Sequence, residues 1–460
     1  MNVNRKMQHE YLKEVAYMSD FLKSLLKIAV PVTLQCMLQS SFSIVDQLMI
    51  GQLGKESIAA VGICGNYALI FSVVTGAVCS VAGILIAQFL GAGDKKEAWS
   101  SFHVSLLVCT LISAIFSIAL LVPTSTVMGF YTRDGLIIGN GIAYGRLVAP
   151  TFLMMGISAM LATWLRCKEH AVFPLAASFC AVIVNTLLNY VLIFGRFGMP
   201  ELGIKGAAWA TLLSQAMNLI LTAAGFLLSN QIEGERIQFS FHLNKVGIRE
   251  YIMMLLPIMI SEFLWSLGQN VEAAVYGRIG TDSIAAYTLT CPVQELMIGA
   301  LTGLSAAAGV LVGKRLGRKE FDAAYDESKK ILLSGCIGAV LLGILLILLS
   351  DCYISLYHVE PFVKQEGRSV LIVFALYLPV KVSNMILGGG IIKSGGDTRS
   401  IMIIDVAGTW LVGIPLCLFA AYILKKDLVW VYAILTSEEI VRFAVTYLVF
   451  KRRKWMNSFS

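Results

Sequence analysis

Residues 27–60, KIAVPVTLQCMLQSSFSIVDQLMIGQLGKESIAA, form an apolar stretch long enough to cross a bilayer, and one acid, Asp46, lies well inside it. A carboxylate in a membrane helix costs about 2.5–3.5 kcal/mol on insertion scales, so Asp46 is a candidate functional residue by position alone. The pattern returns at residues 253–286, MMLLPIMISEFLWSLGQNVEAAVYGRIGTDSIAA. At a constant offset and without a gap, Pro31 falls on Pro257, Asp46 on Glu272, Gly51 on Gly277 and Gly54 on Gly280. The run Ser57-Ile58-Ala59-Ala60 falls on Ser283-Ile284-Ala285-Ala286. A duplicated membrane unit with an embedded acid in each copy points to a transporter.

The apolar runs are continuous rather than alternating, which excludes a barrel and leaves an all-α integral membrane protein. Of the 460 residues, 57% are hydrophobic and 14% charged, against about 25% charged in a soluble domain. The net charge of +7 fits basic loops facing the cytoplasm and does not call for nucleic acid. None of the ten cysteines forms a C-x-x-C pair, so they read as small core hydrophobes rather than metal ligands or a disulfide framework. His9, His103, His170, His242 and His358 offer no metal spacing. The sequence contains no P-loop, no H-E-x-x-H, no G-x-S-x-G and no C-x-x-C-H, so neither ATP hydrolysis nor other enzyme chemistry is expected. No cofactor is implied.

About 12 spans of roughly 20–30 residues fit the chain. The first six lie near 26–50, 59–90, 101–122, 141–165, 172–194 and 206–228, with Pro123 closing the third. The second six lie near 251–277, 284–313, 328–350, 369–392, 400–423 and 428–450. Residues 229–250, the longest polar interruption, divide two lobes, 26–228 and 251–450. Residues 1–25 are charged throughout and read as a cytoplasmic amphipathic lead-in rather than a signal peptide. Residues 451–460 are a basic cytoplasmic tail. The second spans also match, Gly83 with Gly309 and Gly91 with Gly317, and in the fourth spans Arg166 can be set beside Lys393. Lys and Arg concentrate on the side that holds both termini, which places that side in the cytoplasm of a multi-pass cell-membrane protein. Two even-numbered halves insert the same way round and are parallel repeats, with a substrate path between them. The fold needs no partner subunit, so a monomer is expected.

Asn185 and Asn189 stand four apart and share one helical face. Oxygen atoms of Asp46, Asn185 and Asn189, with Thr211 on the next span, suit a hard cation such as sodium; the alternative is hydrogen-bond glue between helices. In the second half Glu262 lies deeper along its span than Glu272, and Glu295 follows early in the next span, after Pro292 and Gln294. Each is a candidate for lining a cation path or, for Glu272 and Glu295, a solvated vestibule. Lys381 is the sole Lys well inside an apolar segment, with Glu262 or another acid as a partner, and Asp405 is expected to pair with Lys393 or Arg399. Trp265 is among the aromatics able to stack on a flat organic cation. Pro31 and Pro257 each remove a helical hydrogen bond and permit bending.

Several blocks together resemble the multidrug and toxic compound extrusion (MATE) family of secondary transporters. They are PVTLQ…VDQLMIGQLGKESIAAVG with its duplicate, the GAGD turn, and N-x-x-x-N followed by FGRFGMPELGIKGAAWATLLSQ. Their order and spacing cover essentially the whole chain. The resemblance implies two six-helix lobes around a central cleft and export of organic cations in exchange for sodium or protons. It also implies a coupling site in the first lobe at Asp46, Asn185, Asn189 and Thr211. The second member of the Asn pair is often Asp in such proteins; here it is Asn189, one titratable group fewer. Other members use an acid in the seventh helix, for which Glu262 and Glu272 are both candidates. A lipid-linked substrate flippase is the alternative and predicts a basic cavity. An integral-membrane enzyme is a weaker one, lacking a reactive constellation.

Overall fold

The computed structural model describes residues 2–122, 124–235, 238, 245–357 and 359–459, without the side chains of 2–19, 40, 42–45 and 48. Pro123, His242 and His358 therefore lie outside the described residues, and so does the His9 side chain. All the regular structure among the described residues is helical.

The first half comprises α1 (Asn2–Gly51), α2 (Lys55–Ala92), α3 (Lys95–Leu121), the short α4 (Thr124–Tyr131), α5 (Gly135–Cys167), α6 (Val172–Phe194) and α7 (Ile204–Ile232). The second comprises α8 (Ile248–Ile279), α9 (Thr281–Gly317), α10 (Phe321–Ser355), α11 (Pro361–Asn384), α12 (Thr398–Ala407), α13 (Ile414–Leu418), α14 (Leu428–Thr436) and α15 (Glu438–Lys451). α11 continues as a π-helical stretch, Met385–Ile392, and π turns join α12 to α13 and follow α13.

Eleven of the described helices are long and apolar enough to cross a membrane. The run expected as the twelfth span is divided at Ser437 into α14 and α15. It carries Glu438, Glu439 and Arg442, which lowers its apolarity. Residues 1–25 and the first span form no separate pieces, because α1 runs unbroken from Asn2 to Gly51 with Pro31 inside it. α8 likewise runs through Pro257.

Turn chemistry fixes the ends. Gly93 takes the left-handed conformation (φ +78°) after α2, and Asp94 then caps α3, accepting from the Glu97 N–H at 3.1 Å. Lys319, the repeat counterpart of Gly93, adopts φ +61°. Asp397 caps α12 and Asp427 caps α14 in the same manner.

Within the first half α5, α6 and α7 pack together and α2 and α3 lie on α5; in the second α9, α10 and α11 form the equivalent group. The halves meet where α1 and α2 pack on α9. Glycines make that approach close. A Cβ on Gly303 would sit 2.0 Å from the Ala29 carbonyl oxygen, one on Gly91 2.1 Å from that of Lys314, and one on Gly317 1.9 Å from that of Gln88. The last two contacts seal the basic end of the molecule. Lys314 there reaches Glu169 at 2.7 Å, and the Arg318 Nε–H donates to the Gly91 carbonyl at 3.2 Å.

The chain after α15 folds into the same seam. Gln88, fully buried on α2, donates to the carbonyls of Ser394 (2.7 Å) and Asn457 (3.2 Å) and accepts from the Phe459 N–H (2.9 Å). Trp455 is also fully buried and closes over Gly395. The basic tail is thus tied to both halves.

Candidate functional site

The first half assembles one polar chain across three helices. Helical spacing puts Asn185 and Asn189 on one face of α6, where they are almost completely buried. The Asn189 Nδ2 donates to Asp46 Oδ1 at 2.7 Å and to Asn185 Oδ1 at 2.7 Å. Asn185 Nδ2 donates to the Ser214 hydroxyl at 3.1 Å, and that hydroxyl donates to the Thr211 carbonyl at 3.0 Å. Thr211 donates its own hydroxyl proton to the Ala207 carbonyl at 3.0 Å. Asp46, Asn185, Asn189 and Thr211 therefore belong to one neighbourhood, with Ser214 as a member that sequence reading missed. Its position three residues after Thr211 was the available signal.

One acceptor stays open. The Asn189 Oδ1 is buried and has no hydrogen-bond partner among the described residues. A buried carbonyl oxygen without a donor is costly unless water or a cation meets it. With an anionic carboxylate beside it, the site offers oxygen atoms and one negative charge, the donor chemistry of a hard monovalent cation or a proton.

The second half holds a different arrangement. A cavity of about 220 Å³ is lined by Trp265, Glu272, Glu295, Lys381, Glu438 and Glu439, among others. Lys381 Nζ lies 3.8 Å from Glu439, so its partner is not Glu262. Arg442 holds Glu438 at 3.0 Å and also donates to the Thr409 hydroxyl at 3.0 Å. Asn384 donates to the Glu439 carboxylate at 2.8 Å. Glu438, Glu439, Arg442 and Asn384 were absorbed into apolar spans in the sequence. The signal present was two consecutive acids with a base four residues after the first.

Glu262 stands apart from this cluster. Its side chain is 43% exposed and pairs with Lys393 at 3.8 Å, so greater depth along the span did not mean greater enclosure. Asp405 accepts from the Ser261 hydroxyl at 2.9 Å and, among the described residues, forms no ion pair with Lys393 or Arg399, contrary to expectation.

Two lobes from a repeated unit, with a polar site buried in each, leave the family to be decided by comparison. The MatE family model matches residues 31–191 and again 257–419, one match per half. The chain belongs to the MatE family. It is a multi-pass membrane protein of the MATE multidrug efflux transporters. A Bacillus subtilis protein described as the uncharacterized transporter YisQ is 25% identical, covering 97% of this chain and 99% of its own. The probable multidrug resistance protein NorM of Thermotoga maritima is 24% identical over 95% of this chain and 93% of its own. A solved structure titled as the outward-facing conformation of a multidrug resistance MATE family transporter superposes with a TM-score of 0.85 at 18% identity. That likeness covers 94% of this chain and 95% of the other, and it speaks for the two-lobed MATE fold.

Proposed function

We propose that this MATE transporter is a secondary antiporter that exports small amphipathic organic compounds, cationic ones in the first place, in exchange for sodium or protons. The carrying observation is the open Asn189 oxygen, on the same side chain whose amide Nδ2 donates to Asp46 Oδ1 at 2.7 Å. A site of this kind takes a cation or a proton when exposed to one side and gives it up when the lobes rock. Protonation or sodium binding neutralises Asp46 and changes what Asn189 can bond, so the local hydrogen-bond chain differs between the loaded and empty states. The acid cluster around Glu272 supplies a second negatively charged region in the other lobe, partly balanced by Lys381 and Arg442.

The seam at the basic end is sealed by close glycine contacts. With that end in the cytoplasm, these contacts close the path between the lobes on the cytoplasmic side. Both termini lie on the cytoplasmic side, the protein works as a monomer in the cell membrane, and 229–250 links the lobes.

The test is transport by purified native protein in proteoliposomes, with sodium and pH gradients imposed separately and ethidium as the probe. Uphill ethidium movement under one gradient supports the reading and names the ion. No movement under either overturns it.

A further inference from the structure

A basic pocket lies apart from both acidic regions, and its charge is inherited from a repeat-related pair. Arg166, at the last turn of α5, lines two adjoining cavities. One, of about 260 Å³, lies inside the first lobe among α1, α5, α6 and α7 and is walled by Gln35, Ser158, Ser178, Gln215, Asn218 and others. The second, of about 430 Å³, lies between the lobes and meets Ser80 and Thr163 on one side and Ser305 and Lys393 on the other. Arg166 and Lys393 are the charged residues lining these spaces, and no carboxylate does.

Arg166 makes one described hydrogen bond, to the Thr163 hydroxyl at 3.0 Å, and no ion pair among the described residues. The nearby acid in sequence, Glu169, is engaged by Lys314 at 2.7 Å. A partly buried guanidinium without a counterion is unfavourable unless something supplies the anion. A second observation points the same way. The Ser158 hydroxyl, on the wall of the first cavity, is buried and has no hydrogen-bond partner among the described residues.

We propose that Arg166 recognises a carboxylate on the transported compound, so that the substrates include amphipathic acids and zwitterions. The planar fork of a guanidinium matches a carboxylate in a two-point pairing. A phosphate dianion is served less well, because Lys393, the second base, is already drawn to Glu262 at 3.8 Å. The surrounding amides and hydroxyls supply orienting bonds without competing charge. The inference rests on the reading that organic compounds pass through this cleft.

The test is equilibrium binding to the purified full chain in neutral detergent, followed by dye fluorescence polarisation. The probes are rhodamine 110, which carries a free carboxylate, and rhodamine 123, its methyl ester. The native protein is expected to bind rhodamine 110 about tenfold or more tightly than the ester. In Arg166→Gln that preference collapses, with ester binding unchanged. Arg166→Lys keeps the charge but loses the fork, and retains only part of the preference. Equal binding of the two dyes by native protein overturns the proposal, as does a preference that survives both substitutions. Because no gradient is applied, the result is independent of whether sodium or protons drive transport. Selective binding without pumping leaves the carboxylate contact at Arg166 standing and contradicts the transport reading, whereas pumping without selective binding overturns the contact alone.

Discussion

Lys314 on α9 and Glu169, in the turn between α5 and α6, join the two lobes through an ion pair of 2.7 Å. Burial works to raise the Glu169 carboxyl, but the Lys314 ammonium outweighs it and holds the group below the usual glutamate range. A carboxyl depressed in the folded state stabilises above its unfolded pKa, and that stabilisation is lost as pH falls through the folded one. Glu169→Gln should therefore lower thermal stability at neutral pH by about 1–2 kcal/mol. The difference from native protein should close in strongly acidic buffer. Melting curves in detergent across a pH series measure both.

Gly303 permits the closest approach of α1 to α9. Gly303→Ala places a Cβ 2.0 Å from the Ala29 carbonyl and should destabilise the chain by about 1–3 kcal/mol through forced separation of the helices. Gly277→Ala, with open space around it, is the matched control and should be neutral or slightly stabilising. Thermal unfolding of both variants distinguishes a crowded contact from a general effect of glycine replacement.

Trp455 and Gln88 tie the end of the chain into the seam. Trp455→Ala should cost about 3–5 kcal/mol, because a fully buried indole is replaced by a cavity. Truncation after Lys454 also removes Asn457 and Phe459, leaving the Gln88 amide with fewer partners. Gln88→Ala should then add little to the truncation, and the non-additivity of the pair in unfolding measurements checks the connection.

Arg442 holds the acids of the second lobe together. Arg442→Gln leaves Glu438 and Glu439 facing one another with Lys381 alone, and should destabilise by about 3–5 kcal/mol. Adding Glu438→Gln should recover part of that loss. Melting temperatures of the single and double variants provide the comparison.

The two-lobed fold was legible because membrane burial leaves a coarse mark: long apolar runs, duplicated with their prolines, acids and glycines in register. Asp46, Asn185 and Asn189 were legible for a related reason, since polar groups in lipid stand out and four-residue spacing fixes a shared face. Their mutual distances were not, because they depend on how α1 leans on α6. Glu262 illustrates the limit. Position along a helix says how far a residue lies from the membrane face, but not which neighbour it meets, and Lys393 meets it from the end of the π-helical stretch that continues α11. Glu438, Glu439 and Arg442 were hidden because they fall inside a run otherwise apolar enough to read as one span. The burial of Gln88 depends on contacts more than 300 positions away, to Ser394, Asn457 and Phe459, which no local pattern encodes.

The most direct measurement of the coupling claim is ethidium efflux from whole cells expressing native protein or Asp46→Asn at equal levels. The amide preserves a hydrogen-bonding partner for Asn189 while removing the charge that attracts the ion. The account predicts that efflux by the variant falls to the background of cells without the transporter. Efflux at the native rate would contradict it and move the coupling site to the Glu272 cluster.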